Sequence, residues 1–219
     1  MKRNIYTNVL LAVLGIALLL PAGLMSQGSG KNINLDERVR TFLEKRQGSW
    51  RDLNIPASDG KVLYDLIVNN KYKKALEIGT STGYSTIFIA WALSKTGGKL
   101  ITIEIDEDRY REALANFKEA GLSEYVDARL ADAHTLVKEL KGPFDFVFCD
   151  ADKEWYKNYF IALHPKLEKG GCYTAHNVSS RRWGMGAGTR EFFDYVKNLS
   201  DMKTTVDESG GGISISYKQ

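Results

Sequence analysis

Apolar residues fall into two rhythms that alternate along the chain. The short runs are Lys74–Gly79, Leu100–Ile105, Val126–Leu130, Phe144–Asp150 and Cys172–Ala175. Most are apolar almost without interruption, the pattern of strands buried on both faces. Between them apolar positions recur three or four residues apart, as on one face of a helix. Ile87 and Trp91, with Phe88 beside them, mark the first such stretch. Glu107–Ala120 and His134–Leu140 are the second and third. The fourth sets Trp155 against Tyr159 and Phe160 against Leu163, ahead of Pro165. Strand and helix in strict alternation predict parallel βαβ units and an α/β fold with a doubly wound sheet, helices on both faces. The tail breaks the rhythm: Thr204–Asp207 and Ile213–Tyr217 are strand-like and joined through Ser209–Gly212. So short a link permits only an antiparallel hairpin. Ahead of the sheet, Leu35–Arg46 and Lys61–Asn69 read as two helices, a cap spanning 31–72 of a single domain, 31–219.

Composition narrows the function. Of 219 residues 43% are hydrophobic and 26% charged, with 4 Pro and 2 Cys, which excludes a disordered chain, a collagen-like repeat and a disulfide scaffold. The net charge of +3 owes two positives to Lys2 and Arg3, so the remaining body is close to neutral and offers no nucleic-acid footprint. Lys2-Arg3, the apolar run Val9–Leu20, Pro21-Ala22-Gly23 and the polar Ser26–Gly30 make residues 1–30 a signal peptide or an uncleaved membrane anchor. The chain is therefore expected to be exported or membrane-anchored, with the side of the membrane open. Cys149 and Cys172 lie in apolar runs and read as buried free thiols.

Chemistry concentrates at strand ends. In Ala75–Thr86 a buried strand runs into a Gly/Ser/Thr turn and then a helix, and Gly79 and Gly83 allow the backbone to turn tightly and approach a ligand. The G-x-x-x-G spacing differs from the G-x-G-x-x-G of pyrophosphate cradles, which disfavours a nicotinamide cofactor. Glu104 ends the following strand, where an acid can accept both hydroxyls of a ribose. A glycine turn without phosphate geometry, next to a ribose acid, points to S-adenosylmethionine. Asp106 and Glu107 are first-turn acids favoured by the helix dipole. In Asp150-Ala151-Asp152-Lys153 two acids two residues apart point the same way into the cleft. Asp152 can alternatively cap the next helix.

These segments resemble the cation-dependent small-molecule O-methyltransferases, the group containing catechol and caffeoyl-coenzyme A O-methyltransferases. The similarity runs from about Ile55 onward and rests on LEIGTSTGYST (Leu76–Thr86), ITIEID (Ile101–Asp106) and FDFVFCDADKEWY (Phe144–Tyr156). It implies a Rossmann-like methyltransferase sheet, mostly parallel with an antiparallel C-terminal hairpin strand. It also implies that Glu77, Gly79, Thr80 and Ser85 contact the methionine part of S-adenosylmethionine, that Glu104 takes the ribose, and that Ile105 and Ala133 flank the adenine. Ile55 would close over the cofactor, Asp152 would touch it, Asp150 would be a metal ligand and Lys153 the general base.

One position departs from the pattern. Family members carry Asp-Asn after the fifth strand, and this chain has His176-Asn177. Imidazole suits zinc, manganese, iron or nickel better than magnesium. Three readings follow: a transition metal on Asp150, His176 and Asn177; weak magnesium on Asp150 and Asn177; or no metal, with His176 a base or substrate contact. His134 and His164 read as structural, Trp155 and Tyr156 as core or cleft wall, and Arg181–Gly186 as an acceptor-binding loop. The expected reaction is in-line methyl transfer to a hydroxyl of a small phenolic or catechol-like acceptor, with Lys153 and Asp150 at the reacting end. Its rivals are a binder of S-adenosylmethionine with lost or altered activity and a methyltransferase of RNA or protein; the absence of Asn-Pro-Pro-Tyr counts against nucleobase methylation. A homodimer is compatible with the resemblance.

Overall fold

The computed structural model describes residues 34–50, 53–181 and 184–219. The segment 1–30, expected to be a signal or anchor, lies outside the described residues, as do Arg182 and Trp183 of the expected acceptor loop. Among the described residues no helix is long and apolar enough to cross a membrane.

Seven strands form one sheet: β1 (Lys74–Ile78), β2 (Lys99–Glu104), β3 (Val126–Leu130), β4 (Phe144–Cys149), β5 (Leu167–His176), β6 (Met202–Asp207) and β7 (Ile213–Lys218). Their order is β3-β2-β1-β4-β5-β7-β6. The first five run parallel, while β7 pairs antiparallel with both β5 and β6. This is the mostly parallel sheet with an antiparallel hairpin that the alternation and the tail predict.

The helices are α1 (Leu35–Lys45), α2 (Ala57–Asn70), α3 (Tyr84–Thr96), α4 (Glu107–Ala120), α5 (Ala133–Glu139), α6 (Tyr156–Leu163) and α7 (Ala187–Val196). β4 shows why both sheet faces must be covered. Val147 and Cys149 point to one side, into a core with residues of α5, α6 and α7. Phe146 and Phe148 point to the other, against α2 and α3. Cys172 lies in that second core, so the two cysteines face opposite sides of the sheet and both are free and buried. A third cluster joins α1, α3 and α4 through Val39, Phe42, Ile87 and Phe117. α4 shows local encoding: Asp106 caps it by accepting from the amides of Asp108 and Arg109, and Gly121 ends it in the left-handed conformation.

Three elements differ from the expectation. α2 begins at Ala57 rather than Lys61, β5 begins at Leu167 rather than Cys172, and α7 was not anticipated. Strand order reverses between β1 and β4, which brings the carboxyl ends of β2, β1, β4 and β5 to one rim, the usual ligand position in an open α/β sheet.

Candidate active site

That rim borders a cavity of about 630 Å³. Gly79, Ser81, Glu104, Ile105, Ala133, Asp150, Asp152, Lys153, His176 and Asn177 all line it, so strand-end logic gathers most of the expected site residues in one place. Four others are placed elsewhere. Ile55 is 5% exposed and packs in the core with Leu63 and Ile67, while its neighbours Leu53 and Asn54 reach the cavity. Glu77, Thr80 and Ser85 form a buried polar layer beneath the glycine turn. Ser85 Oγ donates to Glu77 Oε1 (2.6 Å), Thr102 Oγ1 and Thr86 Oγ1 donate to Oε2, and Thr80 Oγ1 donates to Thr102 Oγ1 at 2.5 Å. Burial still pushes the Glu77 carboxyl up to about 7, against the pull of those hydroxyls.

The turn itself is held by backbone packing. Gly79 has φ +95, and a Cβ there would collide with the carbonyl oxygen of Asp150. The glycine lets the ends of β1 and β4 touch, which fixes Asp150 relative to the turn. Beside it Glu104 is 6% exposed, with its carboxylate oriented by three backbone amides: Ser81 N–H to Oε2 (2.7 Å), and Ile105 and Asp106 N–H to Oε1 (2.9 Å each). A carboxylate so fixed keeps lone pairs free for the cavity. Ile105, 71% exposed, forms an apolar lip next to it. The other wall holds His134, stacked on Trp155 with ring centroids 3.8 Å apart and its Nε2 3.3 Å from Asp152 Oδ2. His134, expected to be structural, therefore belongs to the cavity wall, whereas His164 lies outside it with Nε2 3.0 Å from Asp201 Oδ2. Asp152 also accepts from the Glu154 amide, as a cap would.

At the opposite end charges alternate in a chain. Lys153 Nζ donates to Asp150 Oδ1 and to Tyr156 Oη (2.8 Å). Asp150 Oδ2 lies 3.2 Å from His176 Nδ1, and His176 Nε2 lies 2.8 Å from Asp59 Oδ2. Asp59 comes from the first turn of α2, is 1% exposed, and also accepts from the Gly211 amide (2.8 Å). Burial pushes the His176 pKa down, but hydrogen bonds and charge from Asp150 and Asp59 outweigh it and raise the value to about 9. Burial likewise pushes Asp150 up, and its His176 and Lys153 partners hold it below the ordinary carboxylate value. Asp59 had no role in the sequence reading. Its one local signal is an acid within the first turn of a helix whose inner face is apolar.

These donors do not fit a divalent cation. Both nitrogens of His176 face acceptor-only carboxylates, so both carry hydrogen and neither has a lone pair for a metal. Both oxygens of Asp150 already meet cations. Asn177 is exposed and turns the chain in the left-handed conformation at φ 57, which asparagine tolerates. No three His, Cys, Asp or Glu side chains converge as a metal site among the described residues. The two metal readings of Asp150, His176 and Asn177 thus lose their ligand set.

The O-methyltransferase family profile matches residues 26–183. A catechol O-methyltransferase of Niastella koreensis is 42% identical over 130 residues, 58% of this chain and 58% of that protein. A caffeoyl-CoA O-methyltransferase of Stellaria longipes is 33% identical over 157 residues, 68% of this chain and 64% of that protein. The matches span about three fifths of the length of these curated relatives. Among solved structures, the O-methyltransferase TomG of Streptomyces achromogenes, involved in tomaymycin synthesis and in complex with SAM, is similar at a TM-score of 0.71 and 26% identity. That similarity covers 87% of this chain and 93% of that one.

Proposed function

Because the chain belongs to the O-methyltransferase family, we propose that it transfers the methyl group of S-adenosylmethionine to a hydroxyl of a small phenolic acceptor. The observation that carries this reading is the division of one cavity into two ends: a fixed carboxylate and apolar lip at Glu104 and Ile105, and a charged end at Asp150 and Lys153. When bound, S-adenosylmethionine supplies an electrophilic methyl on a sulfonium centre. Glu104 would accept from the ribose hydroxyls, Ile105, Ala133 and His134 would border the adenine, and Gly79 and Ser81 would face the amino-acid part. The Glu77 layer would support that turn from below rather than touch the ligand.

Lys153 and His176 both line the charged end of the cavity, and His176 is held between Asp59 and Asp150. In its neutral form the Lys153 Nζ would take the acceptor's proton as the oxygen is methylated. The ammonium so formed stays anchored by Asp150 and Tyr156 and would give its proton to solvent at the cavity before the next turnover. Asp150 orients that nitrogen, and Leu53 and Asn54 also line the cavity. For residues 1–30 the proposal remains an export signal or anchor, tested by N-terminal sequencing of protein from membrane and soluble fractions.

Calorimetry with S-adenosylhomocysteine and mass spectrometry of a phenol and catechol panel test the reading. The expected result is binding that weakens on the order of 100-fold in Glu104→Ala, from two hydrogen bonds to a charged group, and acceptors gaining one methyl. Absence of binding in a folded protein refutes it.

A further inference from the structure

The site holds an internal cation of its own, and its position is the one where the resemblance expects a metal. Resting on the methyl-transfer reading above, we propose that this chain works without a divalent cation, the ring of His176 filling that position between Asp59 and Asp150. Three observations carry the inference. The first is two-sided contact: Nε2 is 2.8 Å from Asp59 and Nδ1 is 3.2 Å from Asp150, on opposite sides of the ring. No single ion can replace both contacts from one point. The second is closure. The turn between β6 and β7 packs so tightly that a Cβ on Gly211 would lie 2.6 Å from His176 Nε2, and one on Gly210 would collide with Asp59. The third is charge. Asp59 and Asp150 are balanced by His176 and Lys153, so a dication could enter only by displacing the His176 proton or the Lys153 contact.

Asp59, His176 and Gly211 therefore act as positioning residues. They hold Asp150 ionised and aimed at Lys153, and that task needs no exchangeable ion. Lys153, fixed by that carboxylate, then takes the acceptor's proton from the cavity side.

The test is titration of purified full-length chain with Mn²⁺, followed by the electron paramagnetic resonance signal of the free ion, beside the same titration of His176→Asp. Methyl transfer is measured in parallel with excess chelator. The expected result is no stoichiometric Mn²⁺ uptake by the wild type and no loss of methyl transfer in chelator. His176→Asp removes the resident cation and adds a carboxylate, so it should bind Mn²⁺ more tightly, on the order of tenfold or more. One Mn²⁺ bound per wild-type chain, activity lost to chelator, or equal affinity in both chains overturns the proposal. If His176→Asp fails to fold, the wild-type titration decides alone. That titration needs no turnover, so a protein that binds no Mn²⁺ and methylates nothing refutes the methyl-transfer reading, while uptake of one Mn²⁺ refutes the filling of the metal position by His176 whether or not methyl transfer occurs.

Discussion

Replacing Asp59 by Asn keeps the shape of the contact to His176 and removes its charge. The imidazole is raised from 6.5 to about 9 in the folded chain. At about 1.36 kcal/mol per pKa unit, that difference corresponds to about 3 kcal/mol of pH-dependent stability. Two carboxylates share it, so Asp59 accounts for roughly half, about 1.5 kcal/mol, or about 3–6 °C in Tm for a domain of this size. The sign follows from proton affinity. The folded state holds the proton more tightly than the unfolded state, so the contribution is complete below pH 6.5 and is lost as the pH rises through 9. Thermal melts of wild type and Asp59→Asn across this range should show the widest gap at the acid end and convergence above about pH 10. A gap that stays constant across the range would mean that the contact is an ordinary neutral hydrogen bond. A gap that widens with pH would reverse the assigned charges.

Other perturbations separate the layers of the site. Glu77 is also raised, from 4.5 to about 7, so its favourable contribution is lost as pH climbs through 7; Glu77→Gln should gain on the wild type between pH 4.5 and 7, by on the order of 3 kcal/mol, in urea titrations. Gly210→Ala places a methyl on the Asp59 carboxylate and should lower stability by about 1–3 kcal/mol, read as an earlier melting transition. Lys153→Met should lower kcat by roughly 100-fold or more while leaving the calorimetric Kd for S-adenosylhomocysteine unchanged.

What could be read from sequence follows from how local each signal is. Gly79, Glu104 and Asp150 were legible because topology alone places the ends of β1, β2 and β4 on one rim. The start of α2 was not, because Ser58-Asp59-Gly60 has turn composition; Asp59 is instead held there by His176 and by the Gly211 amide. Lys169-Gly170-Gly171 likewise hides the first half of β5, which forms because Leu167 pairs with Phe144 across a register shift. α7 opens on Gly186-Ala187-Gly188, a loop-like start, and is stabilised by Phe192 and Val196 in the core shared with α6. The Asp59–His176 pair joins residues 117 apart. No periodicity or spacing can announce such a contact, so the metal readings of His176 had nothing local to oppose them.

The hairpin of β6 and β7 has a consequence for the order in which the protein matures. The lip at Glu104 needs only residues up to Asp106 for its three amide donors. The charged end needs Gly211, and the strand carrying it into place is Ile213–Lys218, paired along β5. The adenosyl end, which also draws on Ala133, His134 and Trp155, is complete in sequence by Trp155, whereas the reacting end waits for Gly211. A chain ending before Gly211 would lack the amide and the turn that close over Asp59 and His176, so the charged end that orients Lys153 depends on the hairpin farthest along the sequence.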